Sequence, residues 1–344
     1  MIPASQPTQR PLDAKLLVVD KYGSITHMRR ASFAGFLRPG DLVVANDAAA
    51  LPASLKGVHS PTGCPVEVRL AGRRSLDEVG DFAAVVFGAG DFHTRTEDRP
   101  APPRFKPGDR LTLGPLSATI KRLLDHPRFV DLHLDGPADT IWAGLARHGR
   151  PIQYAYLPVP LDLWDAWSPV AWRPVAFEAP SAGFTLDWRM VEGIRSQGAA
   201  FATLTHTAGI SSTGDTELDL RLPLDEPYRI PRSTACAVET ARANGSRIIA
   251  IGTTVVRALE HAASQDGRVN ASDGLATQRI GPGSQLRIVD AILTGVHEPG
   301  TSHHQLLQAF AADATLRRAG KELDAMSYRT HEFGDSVLIE RRAQ

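Results

Sequence analysis

Two histidines of this sequence stand where a side chain could exchange protons with a ligand. His206 follows a predicted strand and comes shortly before Gly209, and His297 closes an apolar run within residues 288–299. Imidazole titrates near neutral pH and is a natural general acid or base. Asp290 lies in the same apolar run, where a carboxylate must be paired or used. We predict His206, His297 and Asp290 as catalytic residues, while a purely structural role stays open for each.

A short strand, a turn and a helix around Gly252 could bind a negatively charged group. Residues 248–251 form an apolar run typical of a strand buried on both faces, and Gly252 allows a tight turn. Thr253 or Thr254 could cap the helix, whose free N–H groups could hold a carboxylate, a phosphate or a sugar hydroxyl. An ordinary capped junction would explain the same pattern. The ligand-binding residues predicted in this segment are Gly252, Thr253, Thr254, Arg257 and Glu260.

Two further segments could approach the same ligand. Asn46 and Asp47 directly follow a buried strand, and ligands of α/β sheets gather at the carboxyl ends of strands. Ser181 and Gly183 belong to a loop of small residues before a helix, which would let the backbone come close to a ligand. We predict these four residues as ligand-binding, although turn chemistry and helix capping explain both segments equally well.

The sequence does not support a metal centre or several common enzyme classes. His297, His303 and His304 are close together, but their spacing matches no standard zinc motif. Cys64 and Cys236 are the only cysteines and form no CxxC pair, so we expect neither a disulfide framework nor a cysteine zinc site. Four common motifs are absent, namely GxGxxG after a strand, the P-loop, HExxH and GxSxG. Their absence argues against dinucleotide-dependent oxidoreductases, nucleoside triphosphatases and α/β-hydrolases.

The pattern of elements predicts a layered α/β domain that carries an inserted, small all-β domain. Short apolar runs separated by Gly, Pro and Asp are typical of a barrel or compact sandwich. Strands alternating with helices on either side of them indicate a sheet with helices on its faces. We predict a main domain from residues 1–56 and 151–344, and a barrel-like domain from residues 57–150. Residues 151–180 are rich in Pro and Trp, and no regular structure can be assigned to them from the sequence.

The individual elements follow from periodicity and from turn signals. Ser233 is the predicted cap of one of the helices. Strands of the main domain are predicted at residues 15–20, 41–46, 201–205, 248–251, 286–293 and 337–339. Strands of the barrel-like domain are predicted at residues 66–70, 82–87, 110–113, 118–124 and 129–134. Helices are predicted at residues 186–197, 234–243, 302–312 and 316–326, besides the helix after Gly252.

Composition describes an ordinary globular protein of 344 residues with no net charge. The hydrophobic content is 42% and the charged content 22%, with no secretion signal and no membrane-spanning run, so we expect a cytoplasmic protein. Residues 1–150 hold 20 Lys and Arg against 16 Asp and Glu, and the remainder holds 18 against 22. This asymmetry weakly favours an anion-facing surface in the first part but lacks the strong basic footprint of a nucleic-acid binder. The oligomeric state is left open.

Six blocks, in order, resemble the S-adenosylmethionine:tRNA ribosyltransferase-isomerase family of the queuosine pathway. Residues 251–260, IGTTVVRALE, are nearly the family's GTTSVRTLE, and residues 38–47, RPGDLVVAND, are similar to PGDLLVFND. Residues 180–184, 206–209, 290–299 and 333–339 resemble PTAGLHF, HVGLG, DALLTNFHLP and YGDAMLI. The resemblance runs from about residue 15 to residue 339.

Membership would imply an α/β main domain with an inserted barrel, S-adenosylmethionine as co-substrate, tRNA as acceptor and no metal. The ribosyl part of S-adenosylmethionine would move to the aminomethyl group of a 7-deazaguanine base and rearrange to an epoxycyclopentane, while adenine and methionine leave. His206 or His297 would serve as base or acid. Asp47, Asp290 or Glu260 would stabilise the sulfonium or ammonium, and Gly252–Thr254 with Arg257 would hold the methionine carboxylate.

The sequence also departs from the family pattern in parts that would face the substrate. Residues 221–226, RLPLDE, stand where the family has HRMHSE, so both histidines are replaced and Glu226 remains. Two alternatives therefore stay open beside the family reaction. One is a diverged enzyme that uses S-adenosylmethionine with a small molecule, or cleaves it. The other is a binding protein that retains the pocket without the chemistry.

Overall fold

The computed structural model describes residues 1–343, in which strands and helices alternate along most of the chain. The strands are β1 (Ile2–Pro3), β2 (Lys15–Val19), β3 (Ile25–Arg29), β4 (Leu42–Asn46), β5 (Ala48–Ala50), β6 (Ser54–His59), β7 (Cys64–Gly72), β8 (Asp81–Phe87), β9 (Arg110–Leu113), β10 (Leu116–His126), β11 (Phe129–Leu134), β12 (Arg173–Ala176), β13 (Ala200–His206), β14 (Glu226–Ile230), β15 (Ile248–Ile251), β16 (Ser272–Ala276), β17 (Ala291–Gly295), β18 (Arg329–Thr330) and β19 (Ser336–Glu340). The helices are α1 (Ala138–His148), α2 (Trp188–Ser196), α3 (Thr216–Asp219), α4 (Arg232–Ala243), α5 (Thr253–Ala262), α6 (Ser302–Leu307) and α7 (Asp313–Ala325).

A nine-stranded mixed sheet forms the centre of the molecule, in the order β16-β14-β13-β4-β15-β17-β19-β2-β3. The four strands β13, β4, β15 and β17 run parallel to their neighbours in this group. Their carboxyl ends therefore meet at one edge of the sheet, which is where ligands bind in α/β folds.

Helices cover both faces of this sheet, because its buried strands alternate between two apolar layers. In β4, Val44 packs with α4, α5 and α7 on one face, while the neighbouring Val43 packs with α2 on the other. Every residue of β15 is buried, as expected for a strand covered on both sides. The result is a rigid three-layer frame that fixes the strand ends.

A closed antiparallel barrel forms the second part of the structure, in the order β10-β11-β8-β7-β6-β9. Its core is aliphatic and aromatic, and Ile141 and Leu145 of α1 complete it. Gly57 of β6 lies so close to the neighbouring strand β9 that an added Cβ would stand 2.1 Å from the Thr112 carbonyl oxygen. Glycine is required at this position, and barrel closure depends on it.

The predicted fold class, a layered α/β domain with a small barrel, is confirmed. Strand β6 was not predicted, because Gly57 weakens the strand signal of its sequence. Strand β6 therefore lies across the predicted domain boundary at residue 57. The domain boundaries at residues 57 and 150 stay a prediction. Three local predictions are wrong, and one of them is the helix at residues 302–312, since α6 ends at Leu307. Helix α4 begins at Arg232 after Pro231, so Ser233 is not its cap. Strand β17 begins only at Ala291, five residues later than predicted.

Within residues 1–343, no helix is both long and apolar enough to cross a membrane.

Candidate functional site

A cavity of about 770 Å³ opens at the edge where the parallel strands end. Its size falls within the range of roughly 300–1,000 Å³ that is usual for small-molecule pockets. The turn after β15, the end of β17 and the loop after β13 all contribute to its wall. Six residues predicted from the sequence line it, and these are Ser181, Gly252, Thr253, Thr254, Arg257 and His297.

The amino end of α5 faces this cavity. Gly252 adopts φ = +93°, which strongly favours glycine, and its N–H donates to the Leu293 carbonyl at 2.8 Å. Among the described residues no side chain caps α5, so the predicted capping by Thr253 or Thr254 is wrong. Thr254 Oγ1 instead accepts from Asn46 Nδ2 at 3.1 Å. The first N–H groups of the helix and its dipole are left for an anionic group in the cavity.

Arg257 is buried in the cavity wall and is paired with Glu226. Its Nη1 donates to Glu226 Oε2, and its Nη2 donates to the Ala276 carbonyl at 2.8 Å. Glu226 Oε1 in turn accepts from the Gly209 N–H at 2.7 Å. Burial raises the pKa of Glu226, while the neighbouring guanidinium opposes that rise. This pair joins α5 to β14 and to the loop after β13, so it stabilises the wall of the site.

His206 lies beneath the cavity and does not line it. Its side chain is fully buried, its ring is stacked on Tyr228 with centroids 6.4 Å apart, and its Nε2 stands 3.6 Å from Glu226 Oε2. Among residues 1–343, neither ring nitrogen has a hydrogen-bond partner. Burial and, second, Arg257 hold the pKa of His206 well below its usual value, so the ring is neutral. The position offers no direct contact with a ligand in the cavity.

This buried imidazole should make the stability of the protein depend on pH. His206 is neutral when folded but takes up a proton below about pH 6.5 when unfolded, so the free energy of unfolding should fall as the pH falls. We expect the variant His206→Phe to lose this contribution, with a slope lower by up to about 1.4 kcal/mol per pH unit in mildly acidic buffer. Urea unfolding from pH 7.5 to pH 5 would measure both slopes, and equal slopes would contradict the neutral, buried state.

His297 lines the cavity, and its catalytic role stays a prediction. Its Nε2 is 2.8 Å from Thr294 Oγ1, and its ring stacks on His303 with centroids 4.8 Å apart. Burial and, next, His303 hold the pKa of His297 well below its usual value, and burial lowers that of His303 to about 4. The two imidazoles are therefore neutral at physiological pH and offer a flat polar surface rather than positive charge. Among the described residues, no cluster of His, Cys, Asp and Glu could hold a metal ion.

Asp290 and Glu260 belong to the opposite end of the frame, which corrects their sequence-based assignment. Asp290 precedes β17, accepts from the Ile248 N–H at 3.0 Å and pairs with Arg341 at 2.5 Å. Glu260 lies near the carboxyl end of α5, where its carboxylate accepts from the N–H groups of residues 287–289 at 2.7–3.0 Å. Both carboxylates satisfy buried backbone donors and are remote from the cavity, because they flank the amino ends of β15 and β17.

Asn46, Asp47 and Gly183 support the site from behind instead of lining it. Asn46 Nδ2 donates to the His206 carbonyl at 2.8 Å, and its Oδ1 accepts from the His206 N–H at 3.0 Å. Asp47 Oδ1 accepts from Thr205 Oγ1 at 2.7 Å. An added Cβ at Gly183 would stand 2.9 Å from the Ser168 Cβ, so this glycine serves packing. These residues fix the strand ends next to the cavity.

Sequence reasoning missed a polar group on the other wall of the cavity. Tyr154 Oη donates to Glu178 Oε1 at 2.5 Å, and Tyr156 Oη donates to Glu332 Oε2. The Tyr156 ring stacks on His331 with centroids 4.0 Å apart. Three of these residues belong to the stretch 151–180, where no periodicity marks their position. The alternation of Tyr154 and Tyr156 two residues apart was the one available signal.

The fold and this cavity define an α/β protein with an inserted-barrel topology and a ligand site at its strand ends. A family model described as "Queuosine biosynthesis protein" matches residues 2–339. The S-adenosylmethionine:tRNA ribosyltransferase-isomerase of Sorangium cellulosum is 33% identical over 98% of this chain and 94% of that protein. The enzymes of that name from Thermosynechococcus vestitus and Moorella thermoacetica are 31% and 28% identical, each over 98% of this chain and over 92% and 97% of their own length.

A solved structure has the same fold. The crystal structure of an S-adenosylmethionine tRNA ribosyltransferase from Thermotoga maritima aligns with a TM-score of 0.50 and 22% identity, and covers 98% of this chain and 95% of that one. The chain belongs to the family of queuosine biosynthesis proteins, as an enzyme of the ribosyltransferase-isomerase class. The resemblance found from the sequence blocks is thereby confirmed.

Proposed function

We propose that this enzyme uses S-adenosylmethionine and tRNA. It moves the ribosyl part of S-adenosylmethionine to the aminomethyl group of a 7-deazaguanine base in tRNA, isomerises it to the epoxycyclopentane of epoxyqueuosine, and releases adenine and methionine. The three enzymes from Sorangium, Moorella and Thermosynechococcus support both substrates, since their names specify S-adenosylmethionine and tRNA. The proposal uses no metal ion, and a tRNA substrate agrees with the expected cytoplasmic location.

The observation that carries the proposal is the pairing of opposite charges in one cavity. Backbone N–H groups at the amino end of α5, next to Gly252, suit the methionine carboxylate. Glu178, Glu298 and Glu332 line the same cavity and suit the ammonium and sulfonium groups. Arg257 pairs with Glu226 in the cavity wall, and we assign it this supporting role in place of the contact with the carboxylate.

A second cavity supports tRNA as the acceptor. It has a volume of about 530 Å³, lies between the barrel and the loop before β14, and meets the first cavity at Pro223, which lines both. Basic side chains along it suit the phosphates of a nucleic acid that presents one base to the first cavity. These side chains are Arg73, Arg74, Lys121, Arg221 and Arg279, and they outnumber by one the carboxylates that line the same cavity, which are Glu78, Asp81, Asp131 and Asp225.

Incubation with S-adenosylmethionine, with and without tRNA that carries the aminomethyl deazaguanine base, tests the proposal. We expect adenine and methionine, detected by mass spectrometry, only when the modified tRNA is present. The tRNA affinity should fall steeply with added salt. Release without tRNA would instead indicate a diverged enzyme that cleaves S-adenosylmethionine or uses a small acceptor. Binding of S-adenosylmethionine without any release under either condition would indicate a binding protein.

A further inference from the structure

Two carboxylate–phenol pairs face the same cavity from segments that the sequence blocks do not cover. Glu178 follows β12 and is held by Tyr154, while Glu332 follows β18 and is held by Tyr156. Tyr154 is itself oriented by the Ser212 N–H, which donates to its Oη at 3.3 Å. All four side chains line the cavity.

The rings of this group form a stack that fixes the carboxylates. Tyr154 and Tyr156 have centroids 6.1 Å apart with an interplanar angle of 16°, and Tyr156 lies on His331 at 8°. Stacked rings with hydrogen-bonded phenols have little rotational freedom. The stack therefore holds the Glu178 carboxylate in one orientation against the space where a ligand would lie.

The protonation of these groups differs from their ordinary behaviour in water. Burial, with the nearby Glu332 charge adding to it, raises the pKa of Glu178 to about 7, while the hydrogen bond from Tyr154 lowers it. Burial raises the pKa of both tyrosines well above 10, so they stay protonated and keep donating. Glu178 is thus a carboxylate that can hold or release a proton at neutral pH, which is what an acid–base catalyst requires.

We propose that Glu178 is the base that removes the proton from the carbon next to the sulfonium, with Tyr154 as its positioning residue. This inference rests on the proposed function, which supplies the sulfonium substrate. His206 is fully buried and does not line the cavity, so it does not compete for this role. His297 lines the cavity, but its imidazole is held by Thr294 and stacked on His303.

The proton and the electrons balance within the residues present. The C–H bond breaks, its electron pair stays on the carbon beside the positive sulfur, and the proton forms an O–H bond on Glu178. The pair on that carbon then forms the carbon–carbon bond that the cyclopentane product requires, to the sugar carbon from which adenine leaves with the electron pair of the glycosidic bond. The neutral Glu178 carboxyl returns its proton to a nitrogen of the departing adenine, and methionine leaves later with the electron pair of the C–S bond. Glu178 ends the cycle as a carboxylate, so this one proton transfer needs no external acid or base, and the proton that the attacking amine loses goes to solvent.

Glu178→Gln tests the role directly. We expect about 10²–10⁴-fold lower kcat for adenine release, with KM for S-adenosylmethionine changed far less, because the amide retains the shape but cannot take up a proton. Wild-type enzyme in D₂O should also exchange the proton next to the sulfonium, and the variant should not. Glu192→Gln, on the exposed face of α2, is the matched control and should behave as wild type. Wild-type turnover by Glu178→Gln would overturn the inference.

The variant Tyr154→Phe provides a second, independent test if Glu178→Gln folds poorly. Loss of the phenol removes a hydrogen bond that lowers the pKa of Glu178, so the acidic limb of the kcat profile should move to higher pH. An unmoved profile would overturn the pairing. Failure of the proposed function looks different: wild-type enzyme that exchanges the proton but releases no adenine with modified tRNA would refute the ribosyl transfer and keep the role of Glu178.

Discussion

Replacement of Arg257 by methionine is expected to destabilise the protein by about 3–5 kcal/mol, because it leaves Glu226 buried and unpaired. Glu226 keeps one hydrogen-bond partner, the Gly209 N–H, and a neutral imidazole, His206, at 3.6 Å, which is too little for a charged carboxylate away from water. Its pKa should rise further, so the variant should lose stability relative to wild type as the pH rises from 6 to 8. Chemical unfolding at several pH values would measure the loss and its direction.

The double variant Arg257→Met with Glu226→Gln is the control for this prediction. It removes both charges, so it should recover a large part of the lost stability and all of the added pH dependence. A different result would restore the sequence-based role of Arg257. If Arg257→Met kept its stability but lost affinity for S-adenosylmethionine, the guanidinium would contact the ligand directly and would not serve mainly to stabilise the cavity wall.

The turn at Gly252 could be predicted from the sequence because its signals are local. An apolar run, a glycine and a helix start within seven residues identify both the strand and the exposed helix end. The same locality brings Thr253 and Thr254 to the cavity wall, while their contact with a ligand stays a prediction. Their assignment as caps was wrong, because Gly252 occupies the cap position and both threonines already belong to α5.

The positions of Asp290 and Glu260 could not be predicted, because spacing along the chain does not say which edge of the sheet a residue faces. Asp290 is five residues from Gly295 at the cavity, yet it lies at the other end of the same strand. Glu260 is two helical turns from Thr253, and that length is enough to leave the cavity. Only the register of β15 with β17 fixes both positions.

The polar group of Tyr154, Tyr156 and Glu178 on the other wall of the cavity could not be predicted, for a different physical reason. Tyr154, Tyr156 and Glu178 come from a stretch that is largely irregular, whose conformation is set by tertiary hydrogen bonds. Gln153 illustrates this, since its amide donates to the carbonyls of residues 157 and 159 and accepts from the Leu161 N–H. Such contacts leave no periodic trace in the sequence.

Gly252→Ala is expected to weaken the binding of S-adenosylmethionine by at least about tenfold, the equivalent of one lost hydrogen bond to a charged group. An alanine Cβ would stand 3.0 Å from the Ala182 Cβ, and φ = +93° is strained for any residue with a side chain. The turn must therefore shift, which moves the first N–H groups of α5 away from the carboxylate. Isothermal titration calorimetry would measure the affinity.

Gly108→Ala separates this local effect from the general cost of strain. Gly108 has φ = +91°, and an added Cβ there would meet no atom of the described chain within 4 Å. Both variants should lose about 1–3 kcal/mol of unfolding free energy, since both place a side chain in the left-handed region. Only Gly252→Ala should lose affinity, because only that turn presents backbone donors to the cavity. Equal affinity in the two variants would mean that the carboxylate binds elsewhere in the cavity.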